Sequence, residues 1–366
     1  MNLQDALRAF VADKPRLEQL GVSWQSGAEP KAYVPDEFRS NYALAMDAQP
    51  SLVTDPNSAV PAMLTTMIDP QVYEILFAPN KAAVILGENR KGTWLDETAM
   101  FPTVEHTGEV SSYGDFAENG RAGVNTNWPQ RQAYLFQTVK EYGERELERA
   151  GLAKINWVSE IDRAAATVLN KFSNLTYFYG VAGLQNYGLL NDPNLPAALT
   201  PATKVVGGAT WFTAGGSPNA TANEVYNDIV AMYENLVANT AGLVDKSAKL
   251  VLAMSPGSEV ALTFTNSFNV NVTDLLKKNF PNIRIETAVQ YGALSASNPQ
   301  GVAAGNFVQL IAESIEGQQS GYCSFNEKMR AHVVVRQMSS FRQKVTGGTW
   351  GTIIRMPIAF IQMVGV

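Results

Sequence analysis

Two histidines, His106 and His332, and a single cysteine, Cys323, are all the imidazole and thiol the chain has. Their spacing argues against a metal or nucleophilic centre. Zinc ligation needs three or four convergent His, Cys or carboxylate ligands, and neither HExxH nor CxxC occurs. No Gly-x-Ser-x-Gly elbow presents a serine. Cys323, between Tyr322 and Ser324, reads as a small buried residue. His106, in a polar loop, and His332, ahead of an apolar strand, read as structural. Gly87 and Gly92 are spaced like the glycines of a phosphate loop, but Thr93 stands where a lysine must follow. Gly180 and Gly183 close a helix instead of opening one, unlike a dinucleotide-binding turn. Carboxylates are scattered, with no spacing that pairs a general acid with a base. The sequence therefore predicts no catalytic, cofactor-binding or metal-ligating residue, no cofactor, and a protein that is not an enzyme.

Composition narrows the partners. The chain has 366 residues, of which 46% are hydrophobic and only 17% charged, and 28 Lys+Arg stand against 34 Asp+Glu for a net charge of −6. That length suits two subdomains or one elaborated domain. A low charge fraction leaves much neutral surface, as subunit contacts require. Counterion-release binding to nucleic acid needs clustered basic residues, and none are clustered here. A lone cysteine excludes an intrachain disulfide and fits a reducing cytoplasm. The first twenty residues lack a secretory apolar core, and no apolar run reaches membrane-spanning length. The sequons at Asn174, Asn219 and Asn271 read as chance matches.

The element best placed to organise such a chain runs from residue 157 to 179. Trp157, Ile161, Ala164, Ala165, Val168, Phe172, Leu175 and Tyr179 recur at steps of three or four, the stripe of one long amphipathic helix. Asn156 is placed to cap it, Glu160 sits near the positive end of its dipole, and Gly180 stops it. At 1.5 Å per residue it would be roughly 35 Å long.

Ahead of it, residues 2–20 predict a short amphipathic helix broken at Pro15, and residues 21–60 either an extended arm or a disordered tail. A strand is expected at 82–86. Residues 87–130 are polar and punctuated by glycines, too long for a structureless loop. They predict a two-stranded projection, with 103–106 going out and 124–128 returning. An isolated two-stranded hairpin is marginal in water, so it needs a surface to lie on. Residues 132–139 alternate like a strand, and 141–149 read as a charged helical turn. There Glu141 and Arg145, four apart, can pair. They form either an exposed charged face or charge pairs between subunits.

Beyond the long helix, Thr221-Ala-Asn-Glu224 is a capping box. It opens a helix whose Val225, Ile229, Met232 and Leu236 share a face. Strands are expected at 249–254, 283–285 and 307–311, a short helix at 259–264, and another at 274–279 capped by Thr273. C-terminal strands at 332–335 and 353–364 would pack beside the long helix, joined by a turn at Gly347-Gly348.

Over residues 60–195 this order resembles the major capsid proteins of tailed bacteriophages, the Hong Kong 97-type fold. The segments MFPTVEHTGEVSSYGDF, NWPQRQAYLFQTVKEYGERELERAGLAKI and YFYGVAGLQNYGLLNDP carry the likeness. The resemblance implies an α+β fold with an N-terminal arm at 1–60, a first peripheral part at 61–86 and an E-loop β-hairpin at 87–130. It further implies a peripheral domain at 131–195 with spine helix 157–179, an axial domain at 196–325, and peripheral C-terminal strands at 326–366. It implies self-assembly into pentamers and hexamers of an icosahedral virion shell around double-stranded DNA, without sequence-specific contacts. Synthesis would be in the host bacterial cytoplasm, with scaffold, portal and decoration proteins as further partners and no membrane. Trp94, Phe101, Tyr113, Phe116 and Trp128 are then the candidate subunit-interface anchors, because aromatics dominate interface energetics, with local core packing the alternative for each. Glu141 and Arg145 join them as charges. The alternatives are an encapsulin-like nanocompartment shell of the same fold and, from another class, a soluble α+β enzyme.

Overall fold

The computed structural model describes residues 80–366, apart from 117, 154 and 214. The arm, the N-terminal helix and most of the first peripheral part lie outside the described residues. By its contacts the chain divides into two units, and the one described here is Ala78–Gly151 with Asn156–Val366. Its helices are α1 (Ala82–Leu86), α2 (Glu144–Leu152), α3 (Trp157–Tyr179), α4 (Ala222–Asn239), α5 (Pro256–Glu259) and α6 (Val272–Asn279).

Helix α3 has the bounds its sequence predicts. Asn156 caps it by accepting from the Ser159 N–H, and the Gly180 N–H closes it onto the Thr176 carbonyl at 2.8 Å. The face it buries is only partly the predicted one: Ala165 is buried and Ile161, Phe172, Leu175 and Tyr179 partly so. Leu169, Ser173 and Thr176, outside the predicted stripe, also point inward, while Val168 is 56% and Trp157 39% exposed. Thr176 and Asn174 can face the core here because each finds a hydrogen-bond partner there. Thr176 Oγ1 meets Thr349 Oγ1, and Asn174 Oδ1 accepts from the Ala82 N–H at 3.1 Å.

The segment after α3 folds back to satisfy carbonyls that a helix end leaves open. The Leu189 N–H donates to Tyr177 O (2.8 Å), the Leu190 N–H to Phe178 O (3.0 Å), and Asn191 Nδ2 to Tyr179 O (2.6 Å). Such close return leaves no room for a side chain at Gly188, where a Cβ would stand 2.2 Å from the Phe178 carbonyl. Gly188→Ala is accordingly expected to cost several kcal/mol, about the level of a badly overpacked core. A denaturant midpoint equal to wild type would refute that.

Alongside α3 lies a five-stranded sheet. Its long strand β14 (Ser340–Ile354) pairs antiparallel with β6 (Tyr134–Gly143), β12 (Gly321–Ala331) and β13 (Val335–Arg336), and β1 (Glu88–Arg90) runs parallel to β12. Gly347-Gly348 is therefore mid-strand, not a turn. A Cβ at Gly347 would come within 2.8 Å of the Phe136 ring, and one at Gly348 within 2.0 Å of Asn326 Oδ1. Glycine serves here for close approach of neighbouring side chains. Residues 332–334 fall between β12 and β13 and belong to no strand. Residues 82–86 are helical where a strand was expected; the apolar run AAVIL is equally compatible with a buried turn of helix, and Gly87, at φ +79°, ends it.

A second sheet, in the order β15–β9–β7–β8, comprises β7 (Leu250–Met254), β8 (Ile283–Thr287), β9 (Phe307–Ala312) and β15 (Phe360–Val364). The expected strand at 353–364 is thus divided. Its start ends β14 beside α3, and after Pro357 the chain crosses to pair with β9. The predicted capping box is present, and α4 buries Val225, Ile229, Met232 and Leu236 on this sheet's core. Helix α5 runs into a 3-10 turn, Val260–Thr263. Helix α6 is capped by Asn271, which accepts from the Asp274 N–H at 2.7 Å; Thr273 instead donates to the Leu262 carbonyl. Asp228 of α4 is buried and accepts from Lys204 Nζ, Trp211 Nε1 and the Ala202 N–H. That carboxylate fixes the irregular passage 199–221 against the helix.

Candidate assembly surface

From the first sheet projects a ribbon of two strands, β3 (Thr103–Gly108) and β4 (Ala122–Asn127), paired from Thr103↔Asn127 to Gly108↔Ala122. Both strands are exposed along their whole length. Side chains of opposed residues share a face, so Val104, His106, Ala122, Val124 and Thr126 lie on one side. Thr103, Glu105, Thr107, Asn125 and Asn127 lie on the other. The second side is self-satisfied, with Asn125 Nδ2 donating to Glu105 and Thr103 Oγ1 to the Asn127 carbonyl. The first carries Val104 and Val124, each 56% exposed, and its Val104 and His106 line a cleft against residues 353–356. At the tip Val110 and Phe116 are fully exposed and Tyr113 nearly so.

The ribbon's root is fixed. Strands β2 (Thr98–Met100) and β5 (Gln130–Gln132) pair below it, and the Phe101 N–H donates to Pro129 O. Arg131 of β5 reaches the turn after α3, where it donates to Asp192 at 2.7 Å with both side chains buried, and its guanidinium lies 4.7 Å over the Tyr187 ring. Asn186 Nδ2 from the same turn donates to Gln132 O and Thr349 O. A rigid rod, its turn and the ribbon's base thus form one hydrogen-bonded assembly. Sequence reading did not find Arg131, since nothing local marks an arginine that is to be buried.

The seven predicted residues fall into separate surroundings. Tyr113, Phe116 and Trp128 are exposed. Phe101 packs on the Tyr322, Trp350 and Ile353 cluster under the root. Trp94 is half-buried, with the Arg330 guanidinium 5.3 Å over its ring and the His332 ring 6.0 Å away. Glu141 does not pair with Arg145. It lies in β6, not in a helix, and binds Arg342 of β14 at 2.9 Å. Arg145 is exposed in the first turn of α2.

The groups with chemical potential are dispersed. Cys323 is buried between α1 and β14, and burial pushes its thiol up to about 12, so it stays protonated at neutral pH. His332 Nε2 contacts Thr346 Oγ1 at 3.0 Å. His106 borders a cleft of about 460 Å³ between the ribbon root and residues 353–356. Among the described residues no three His, Cys, Asp or Glu gather as metal ligands, and no helix is long and apolar enough to cross a membrane.

Residues 51–365 match the family model of the Pa193 gp26 major capsid protein. The chain belongs to that family. This capsid protein is also similar in structure to the capsid of Myoviridae phage XM1, at 14% identity and a TM-score of 0.65, over 85% of this chain and 100% of that one. The capsid of the native GTA particle matches at 10% identity and a TM-score of 0.55, over 87% and 99% of the two chains. Gordonia phage Cozz gives 10% identity and a TM-score of 0.53, over 87% and 99%. No curated protein matches the capsid protein's sequence. At these identities the structural likenesses establish the fold, which is the Hong Kong 97 type. The family establishes the role: a structural protein of the virion that associates with its own copies to build the phage shell. The nanocompartment alternative has the weaker support, because the matched family model is that of a phage capsid protein.

Proposed function

We propose that copies of this protein form pentamers and hexamers of an icosahedral head, and that each ribbon lies with its Val104/Val124 face across a neighbour in the same capsomer. The reading is supported by one observation, a two-stranded ribbon that leaves Val104 and Val124 more than half exposed and Val110, Tyr113 and Phe116 at its tip almost wholly so. Covering a side chain such as valine or phenylalanine contributes about 1.5–3 kcal/mol. Val104, Val110, Tyr113, Phe116, Val124 and Trp128 together therefore supply substantial adhesion for every copy. Trp94, Phe101, Glu141 and Arg145 would act nearer the subunit body, the first two by holding the root in shape. The arm at 1–60 would tie capsomers together, and scaffold, portal and decoration proteins would join the same shell. The net charge of −6 suits enclosing double-stranded DNA without gripping it. Synthesis in the bacterial cytoplasm fits the lone, buried cysteine.

The test is a pair of charges on the Val104/Val124 face. Val104→Asp with Val124→Asp is expected to give soluble subunits with the wild-type circular dichroism spectrum that sediment without forming shells. Shells at wild-type yield from that variant would overturn the reading.

A further inference from the structure

The chain contains a single Asn-Gly dipeptide, Asn119-Gly120. It stands at the exposed tip of the ribbon. We propose that Asn119 is a site of spontaneous, self-catalysed modification, in which its side-chain amide is lost to give aspartate and isoaspartate.

Ring closure needs a mobile side-chain amide, an unengaged N–H on the next residue and no Cβ in the way. All three conditions meet here. Among the described residues no hydrogen bond holds the Asn119 amide or the Gly120 N–H; only the Asn119 backbone carbonyl is engaged, accepting from Ser111 Oγ at 2.8 Å. Gly120 sits at φ +84°, in the left-handed region open to glycine. A Cβ there would stand 3.2 Å from Ser111 N and Oγ.

Two other candidates, each before a small residue, are held. Asn266, before Ser267, has its Oδ1 occupied by the Phe268 and Val270 N–H groups. Asn219, before Ala220, is buried and donates through Nδ2 to Gly207 O and Thr210 O, while the Ala220 N–H donates to Trp211 O. Asn119 thus joins a following glycine, which no other asparagine of the chain has, to a side chain that no hydrogen bond among the described residues holds.

The step balances without an oxidant or partner. Gly120 N, losing its proton to water or hydroxide, attacks Asn119 Cγ. The new C–N bond closes a five-membered imide, the Cγ–Nδ2 bond breaks, and the leaving nitrogen takes up a proton and departs as ammonia. Water then opens the imide at either carbonyl. Opening at Cγ gives aspartate; opening at the main-chain carbonyl gives isoaspartate, which routes the backbone through the side chain and lengthens the turn. Either product adds a carboxylate to a tip that already holds Glu109, Asp115 and Glu118 against Arg121. The modification would therefore change both the charge and the geometry of the ribbon end.

Unassembled full-length protein, incubated at mildly alkaline pH, would be digested and its peptides analysed by mass spectrometry. A synthetic peptide of residues 115–123 serves as the unstructured reference. Conversion of Asn119 at a rate close to the peptide's, with isoaspartate the major product and Asn219 and Asn266 intact, supports the proposal. Asn119→Gln, which leaves Gly120 in place, should abolish the signal. Gly120→Ala should slow it by about an order of magnitude, because a Cβ crowds the attacking nitrogen. An Asn119 that stays amidated while the peptide converts overturns it. The outcome is independent of whether the ribbon joins subunits, since it is read on free subunits.

Discussion

Replacing residues 104–126 by a two-residue Asn-Gly turn between Thr103 and Asn127 is expected to leave a folded subunit that no longer closes into shells. Thr103 and Asn127 are opposed residues of the antiparallel pair, close enough for a tight turn to join them. Neither ribbon strand buries a residue on the subunit body. Phe101 must be kept, because it packs on Tyr322, Trp350 and Ile353; a deletion starting at residue 100 would damage the root and confuse assembly with folding. Thermal unfolding and near-ultraviolet circular dichroism should match wild type, while negative-stain microscopy shows no shells. Particles of normal size from this variant would remove the ribbon from the assembly mechanism.

The largest loss of stability is expected at Asp228. Its carboxylate accepts from Lys204 Nζ, Trp211 Nε1 and the Ala202 N–H, with the Lys204 side chain 1% and the Asp228 side chain 3% exposed. Asp228→Ala leaves an ammonium and two N–H groups buried without an acceptor, which costs about 3–5 kcal/mol. That is a large part of the roughly 5–15 kcal/mol that holds a domain together. The charge is the main term, so Lys204→Met combined with Asp228→Asn should recover most of the loss. Urea unfolding of the three proteins decides it. Equal midpoints for Asp228→Ala and wild type would mean that the passage 199–221 is held by something else.

Both experiments act on contacts with different sequence reach, and that reach separates what was legible from what was not. The capping box at Thr221 and Glu224 spans three residues, and the long helix carries its stop signals in Asn156 and Gly180. The ribbon was legible from the length and glycine punctuation of residues 87–130, too long for a structureless loop.

Everything set by distant partners was different. The inward face of α3 follows Ser173 and Thr176 because glycines and threonines of β14 wait 173 residues away, as between Thr176 and Thr349. Glu141 finds Arg342 across a strand pair instead of Arg145 along a helix. Residues 360–364 join the second sheet because β9 offers an open edge. Arg131 is buried because Asp192, 61 positions on, completes its charge.

By itself the sequence determined the long helix with its cap and stop, the capping box at Thr221, the projecting ribbon and the absence of recognisable catalytic spacing, since each depends on neighbours within a few residues. Only the tertiary structure decided which face is covered, which charges pair and where the last strand lies. Those outcomes turn on desolvating groups far apart in the chain, and a polar side chain bears no local mark of whether a partner will meet it.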